Sequence, residues 1–200
     1  MKFGEFNVGE ADLSGQVEFQ PGLHVVELAS VEYKSNPDNG KEGIMLEFRG
    51  KNKDKVDCVH VHYMKLDGKG ESGVEFMVKT LSHTFIDGIG ATAEQVQNVL
   101  NAVPELEGGV SNFKGLAEGF EALRLTFKGK DKAPLLKIKL RQTIYADKAS
   151  TRYDYIKPPC ADRVDGKRLV FNVDVDVEKI GSGKHSNPAG DSDGLFANTI

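Results

Sequence analysis

Alternating apolar and polar residues mark the first third of the chain as a series of β-strands. Residues 19–33 contain Pro-Gly at 21–22 and are rich in Val and Leu, and their apolar phase slips near Ala29, as a β-bulge produces. Residues 44–49 and 56–64 alternate with period two, and short polar turns separate the three segments. The pattern predicts an antiparallel meander of three strands.

The apolar spacing changes to three and four residues in the middle of the chain, as it does in helices. Residues 72–75 and 92–95 each fit a capping box at a helix start. Gly90 is placed to cap the end of the first helix and Pro104 to stop the second. A third short helix or turn is predicted over 112–120.

The strongest charge pattern lies in residues 123–141, which carry seven Lys or Arg against one acid while the whole chain has a net charge of −4. Apolar and basic residues alternate on both sides of a Gly/Lys/Asp/Pro turn. Because successive strand residues point to opposite faces, the segment predicts a β-hairpin with one basic face. The cations predicted to share that face are Arg124, Lys128, Lys137, Lys139 and Arg141.

Residues 169–177 show the clearest alternation in the chain, with Leu, Phe and Val at every second position. They predict a final strand, and Asp174 and Asp176 would give it a solvated acidic face. A Mg²⁺ site of a nuclease is the less favoured interpretation of these two carboxylates.

The predicted elements fit a mainly β, α+β domain, in which a small closed antiparallel β-barrel carries a helical insertion. We expect an N-terminal arm over residues 1–15, the barrel domain over 16–180 with the insertion at about 72–121, and a flexible acidic tail over 181–200. The tail is small, polar and rich in Gly, without periodicity.

Composition places the chain among ordinary globular proteins, with 39% hydrophobic and 28% charged residues. No apolar run approaches the ~20 residues of a membrane helix. The acidic start lacks the layout of a signal peptide, which predicts a cytoplasmic protein. Cys58 and Cys160 are expected to be free thiols. A pI of 5.8 argues against coating duplex DNA by bulk charge but permits a local basic groove.

Two segments carry a resemblance to a known family. Residues 22–28 (GLHVVEL) match a G-x-[HY]-x-[VA]-x-[LI] strand, and residues 39–48 (NGKEGIMLEF) supply a Gly-rich turn and an apolar strand. Over about residues 20–145 the chain resembles phage-encoded single-stranded DNA-binding proteins with an oligonucleotide/oligosaccharide-binding (OB) fold. The resemblance implies an OB-like barrel, a non-enzymatic role in phage DNA replication or recombination, and the host cytoplasm.

The end of the chain is similar to the acidic, Phe-bearing tails by which such proteins recruit replication or recombination partners. The residues that carry this similarity are Asp191, Asp193, Leu195 and Phe196. The sequence leaves the oligomeric state open, with a homodimer among the alternatives.

A single-strand binder combines a positive groove with platforms on which bases stack. Strand residues i and i+2 lie about 6.6 Å apart, close to the pitch of an extended phosphate backbone. Tyr33 and Tyr63 are expected in the core. The groove residues predicted beyond the basic hairpin are Lys51 and Lys53 in a turn, and Tyr145, Arg152, Tyr153 and Tyr155 in a Tyr- and Pro-rich loop.

Several alternatives stay open at this point. The basic hairpin residues also suit a strand edge protected against aggregation, although a closed barrel has no edge to protect. The rival function is a structural or assembly protein whose basic face meets an acidic partner, and a small-ligand carrier ranks below it because the sequence indicates no cavity. Cys58, His60 and His62 share one strand face, where a polar surface is favoured over a metal site. A zinc site would need a further ligand such as His24, His83 or Cys160, and nothing in the sequence places one of these nearby. We therefore expect no cofactor, no metal and no catalytic residue.

Overall fold

The structure, a computed structural model of the chain, describes residues 19–36, 41–52, 55–66, 71–103, 112–127, 133–145 and 151–180. The predicted arm over 1–15, the tail over 181–200, Lys53 and Lys128 lie outside these residues. No helix within the described segments is both long enough and apolar enough to cross a membrane.

Strands and helices follow one another in a β-rich order with a helical block in the middle. The strands are β1 Gly22–Asn36, β2 Lys41–Lys51, β3 Asp57–Leu66, β4 Leu135–Tyr145, β5 Thr151–Tyr155, β6 Ala161–Asp162 and β7 Val177–Ile180. The helices are α1 Glu71–Ser82, the π-helix His83–Ile89, α2 Ala93–Asn101, α3 Phe113–Thr126 and the single turn α4 Val173–Asp176.

The strands form one sheet in the order β3-β2-β1-β4-β5, in which each neighbouring pair is antiparallel. The predicted meander of three strands is confirmed, and so is the bulge, because the β1–β2 register shifts between Leu28 and Ser30. The helical block lies between β3 and β4, which confirms an α+β fold with a helical insertion. β3 and β5 do not pair with each other in the described part of the chain, so the sheet is open there.

Two predicted helix ends are confirmed in detail. The Thr92 side chain accepts a hydrogen bond from the Gln95 backbone N–H, and the Gln95 side chain accepts one from the Thr92 backbone N–H, which completes the capping box. Gly90 has a left-handed φ of 92° and its N–H donates to Phe85 O. Only glycine adopts this φ without strain, so it ends the π-helix.

Residues 123–127 are helical, and the predicted first strand of the basic hairpin is wrong. α3 runs from Phe113 to Thr126, and Asn112 caps it by accepting from the Gly115 N–H at 2.9 Å. Its buried side chains recur at helical spacing over fourteen residues, which outweighs a short local alternation at its end. The apolar side chains that α3 buries are Phe113, Leu116, Ala117, Phe120 and Leu123.

An ion pair on α3 fastens this helix to the bulge in β1. Glu121 accepts a hydrogen bond from the Val31 N–H at 2.9 Å, and Arg124 donates to Leu28 O at 3.3 Å. The two side chains are themselves 2.5 Å apart, and Arg124 is buried. Because a bulge interrupts the ladder, its backbone groups need such partners.

The predicted final strand over 169–177 is also wrong. Residues before 173 are irregular, α4 makes one helical turn, and only β7 is extended, parallel to β4. The Asn172 N–H donates to the Asp176 carboxylate at 2.9 Å. Asn and Asp side chains commonly offer the backbone such local turns in place of a ladder. Val173 and Val175 are consequently exposed, whereas Asp176 is buried.

Candidate functional site

Among the described cations predicted for one basic face, Arg124 does not belong to the same surface as the other three. Arg124 lies on α3 and donates to Leu28 O at the β1 bulge, whereas Lys137, Lys139 and Arg141 form a row on β4, which we call the β4 row. Lys139 is buried and Arg141 is nearly so. The premise of a continuous exposed basic hairpin is therefore corrected by the helical geometry of α3 and by the covering of β4.

Residues 163–176, which we call the strap, cover the β4 row. Lys137 Nζ donates to Gly166 O at 2.5 Å and Lys139 Nζ donates to Val170 O at 3.3 Å. The strap backbone thus supplies acceptors for two of the three cations.

The strap ends in a carboxylate that pairs with two cations. Asp176 Oδ1 is 3.2 Å from Lys139 Nζ and 3.0 Å from Arg141 Nε. Burial alone raises the pKa of Asp176, but the Asn172 N–H and the two cations outweigh it, and the pKa is lowered overall. Asp176 is therefore ionised, and the predicted solvated acidic face is wrong at this residue.

The start of the strap is held by a second buried carboxylate. Asp162 accepts from the backbone N–H groups of Arg163 at 2.9 Å and Arg168 at 2.8 Å. Burial raises the pKa of Asp162, yet these N–H groups and the Arg168 guanidinium lower it overall. The Arg168 guanidinium also pairs with Asp87 at 2.8 Å, which ties the strap to the π-helix.

An open surface lies beside the strap, on the side of the sheet away from the core. Cross-strand pairing sets Glu27 beside Arg49, and Arg49 beside Val59, so these side chains project to one side. A shallow depression of about 310 Å³ lies in this surface. We call the surface the outer face, and its residues are Leu23, Val25, Glu27, Arg49, Lys51, Asp57, Val59, Val61 and Leu135.

Two cations stand exposed on the outer face. The Arg49 side chain is 63% exposed and pairs with Glu47, and the Lys51 side chain is 62% exposed and lies 2.7 Å from Asp57. The Lys51–Asp57 pair is exposed on both sides and contributes about 0–1 kcal/mol, so an incoming anion can replace the Asp57 carboxylate. Glu47, the partner of Arg49, is only 18% exposed, whereas the Arg49 side chain itself is open to solvent. Lys51 was predicted for the site. Arg49 was not, although its alternation with buried Phe48 places it on the exposed side of β2.

Apolar side chains surround these cations. Val25 is 45% exposed, Leu135 49% and Val61 36%, although strands usually place such residues inward. Because an exposed apolar patch rimmed by polar residues is typical of a binding surface, the outer face is the strongest candidate site in the described residues.

Two tyrosines predicted to stack with bases, Tyr153 and Tyr155, belong to a strand. Residues 151–155 form β5, which pairs Tyr155 with Arg141, Tyr153 with Thr143 and Tyr145 with Thr151. The prediction of a loop is wrong here, while Arg152 lies opposite Ile144 in the same ladder. β5 borders β4 on the side opposite to β1, so these backbone positions lie across β4 from the outer face.

Tyr33 packs against the core, as predicted, and its hydroxyl donates to Glu42 at 2.7 Å. Tyr63 is half-buried and stands cross-strand from Met45, and burial raises the pKa of its hydroxyl.

Cys58, His60 and His62 face the core, which corrects the expectation of a polar strand surface. Their cross-strand partners are the inward residues of β2, and burial lowers the pKa of His60 to about 4 and of His62 to about 3. Both histidines are neutral at pH 7. The described residues contain no group of three or more His, Cys, Asp or Glu side chains arranged to hold a metal ion.

Both cysteines are free thiols, as predicted, and both are buried. Burial raises the pKa of Cys160 to about 12, so its thiol is a poor nucleophile.

Comparison with known proteins names no family for this fold and site. Neither the models of protein families nor the curated proteins contain a match to the chain.

Proposed function

We propose that the chain is a non-enzymatic protein that binds single-stranded DNA on the outer face with little sequence preference. We place it in phage-type DNA replication or recombination in the cytoplasm of the host. The residues of 181–200 named above, Asp191, Asp193, Leu195 and Phe196, are proposed to recruit partner proteins.

The arrangement of strands supports an OB-type domain. Three meandering strands precede the helical block, and β1 lies between β2 and β4 at the centre of the sheet. OB folds are partly open five-stranded barrels, and they bind oligonucleotides over strands 2 and 3 and the neighbouring loops. An open β3–β5 seam is compatible with that architecture, and closure into a barrel belongs to the proposal.

The observation that carries the proposal is that exposed cations lie beside exposed apolar side chains on the outer face. Arg49 and Lys51 stand two residues apart on β2, a spacing of about 6.6 Å that suits successive phosphates. Val25 and Leu135 line the same depression and offer bases an apolar surface. Aliphatic contacts and phosphate pairing read no base edges, which accounts for low sequence preference.

Titration of fluorescent oligo-dT against the full chain tests this function. In Arg49→Gln/Lys51→Gln we expect weaker binding, and the slope of log K against log salt should become shallower by about 1.4, at about 0.7 per phosphate. Both changed side chains are exposed, so the fold should persist.

The matched control is Lys79→Gln/Lys114→Gln, which removes the same charge from exposed positions on α1 and α3. Equal weakening in both double variants would show a nonspecific charge effect and contradict a site on the outer face.

A second candidate is a structural or assembly protein, in which the outer face meets a protein partner. Exposed Val25, Val61 and Leu135 favour it, because apolar strand faces also suit protein contacts. A folded chain that binds no oligonucleotide at low salt would select this alternative.

A further inference from the structure

The β4 row continues the outer face beneath the strap. Cross-strand pairing sets Lys137 beside Val25 and Lys139 beside Leu23. A nucleic-acid strand on the outer face therefore lies next to three further cations, spaced at about 6.6 Å along β4.

The strap buries few of its own side chains, and polar contacts at its two ends hold it in place. Among its fourteen residues only Leu169 and Asp176 are buried, and α4 is its single turn of regular structure. Val170, Val173 and Val175 are 68%, 64% and 67% exposed. Segments with few buried apolar contacts open at lower free energy than the core that they cover.

Every strap group bonded to the row is an oxygen acceptor. Gly166 O meets Lys137, Val170 O meets Lys139, and the Asp176 carboxylate lies between Lys139 and Arg141. A phosphodiester backbone presents the same chemistry, namely anionic oxygens for charge-assisted hydrogen bonds. The strap thus gives the cations of the β4 row the kind of acceptor oxygens that a phosphate backbone would give them.

We propose that the strap is a displaceable cover over a second phosphate-binding row, formed by Lys137, Lys139 and Arg141. Single-stranded nucleic acid bound on the outer face reaches this row when the strap lifts. The inference rests on the proposed function and extends its site from two cations to five.

The first test is proteolysis of the wild-type chain with and without saturating oligo-dT. Lys167 and Arg168 lie exposed in the strap, and Lys79 and Lys114 in the helices serve as internal references. We expect oligo-dT to accelerate trypsin cleavage after the strap residues several-fold relative to the references. Unchanged or slower strap cleavage in the bound protein overturns the proposal.

The second test compares two carboxylates of α4 that carry the same charge. Asp176→Asn should bind oligo-dT more tightly, and its salt slope should steepen by about 1.4, which corresponds to two added phosphates. Asp174→Asn, at an exposed residue, should leave affinity within about twofold of wild type. Equal effects in the two variants overturn the proposal.

Leu169→Ala serves as a second variant, because Asp176→Asn leaves buried cations without their carboxylate and its folding must be checked by circular dichroism. Leu169→Ala weakens the apolar anchor of the strap and keeps every charge, so it should also raise affinity. Wild-type binding of oligo-dT without faster cleavage of the strap, and without a gain of affinity in the strap variants, would refute the displaceable cover and leave the proposed function standing. If the wild-type chain does not bind oligo-dT at low salt, the proposed function fails and the cover fails with it.

Discussion

β2 and β4 each carry a row of basic side chains at two-residue spacing on the same side of one sheet, yet the two rows have opposite environments. On β2, Arg49 and Lys51 are exposed, and they pair with the partly buried Glu47 and the exposed Asp57. On β4, Lys139 and Arg141 are covered by the strap and pair with buried Asp176. Alternation along a strand therefore decides on which side of the sheet a side chain lies, while the packing of a segment distant in sequence decides whether that side chain reaches water.

The largest expected effect is the pH dependence of the free energy of unfolding that the buried histidines of β3 cause. His60 and His62 have lowered pKa values in the fold, so the unfolded chain binds more protons below its own pKa of about 6.5. The free energy of unfolding therefore falls as pH falls, by about 1.4 kcal/mol per unit for each histidine, and by about 6 kcal/mol in total between pH 7 and pH 4.

Urea unfolding at a series of pH values measures this dependence. In His60→Gln/His62→Gln the part of the slope due to the histidines should disappear, while the part due to carboxylates remains. A double variant with the wild-type slope between pH 6 and pH 4 would show that the histidines reach solvent in the native state.

The next effect tests the two basic rows against each other. Lys139→Ala breaks a buried pair and leaves Asp176 with Arg141 as its one cationic partner, so we expect a loss of about 3 kcal/mol of unfolding free energy. Lys51→Ala breaks an exposed pair and should change it by less than about 1 kcal/mol. Similar losses in the two variants, measured by urea unfolding at pH 7, would remove the distinction between covered and open rows.

The smallest effect compares two neighbouring valines of β1. Val26 is fully buried, so Val26→Ala should cost about 2 kcal/mol of stability. Val25 lies on the outer face, so Val25→Ala should change stability by less than about 0.5 kcal/mol but weaken oligo-dT binding. The same urea and titration measurements apply, and a stable Val25→Ala with undiminished binding would exclude Val25 from the site.

The three alternating strands of the first third of the chain, which short polar turns separate, were predicted well. The meander, the bulge near Ala29 and the capping box at Thr92 are confirmed because each depends on contacts within a few residues or between adjacent strands. The candidate site was predicted only in part. Lys51 belongs to the open surface, whereas Arg124 is bonded to the β1 bulge and Lys139 lies under the strap.

The failures share a physical cause. At residues 123–127 a helical period established over fourteen residues prevails over a five-residue alternation. At residues 169–177 an Asn–Asp hydrogen bond and the pairing of Asp176 with β4 prevail over strand propensity. In both segments, contacts outside the short alternating stretch decide the conformation, namely the buried face of the whole of α3 in the first and the cations of β4 in the second.

The amino-acid sequence by itself determined the α+β class, the order of the first three strands, the helical block and the free thiols, because these follow from periodicity, caps and composition. Only the tertiary structure decided which cations are exposed. Exposure depends on which segment packs over a strand, and for β4 that segment begins more than twenty residues further along the chain, at Arg163.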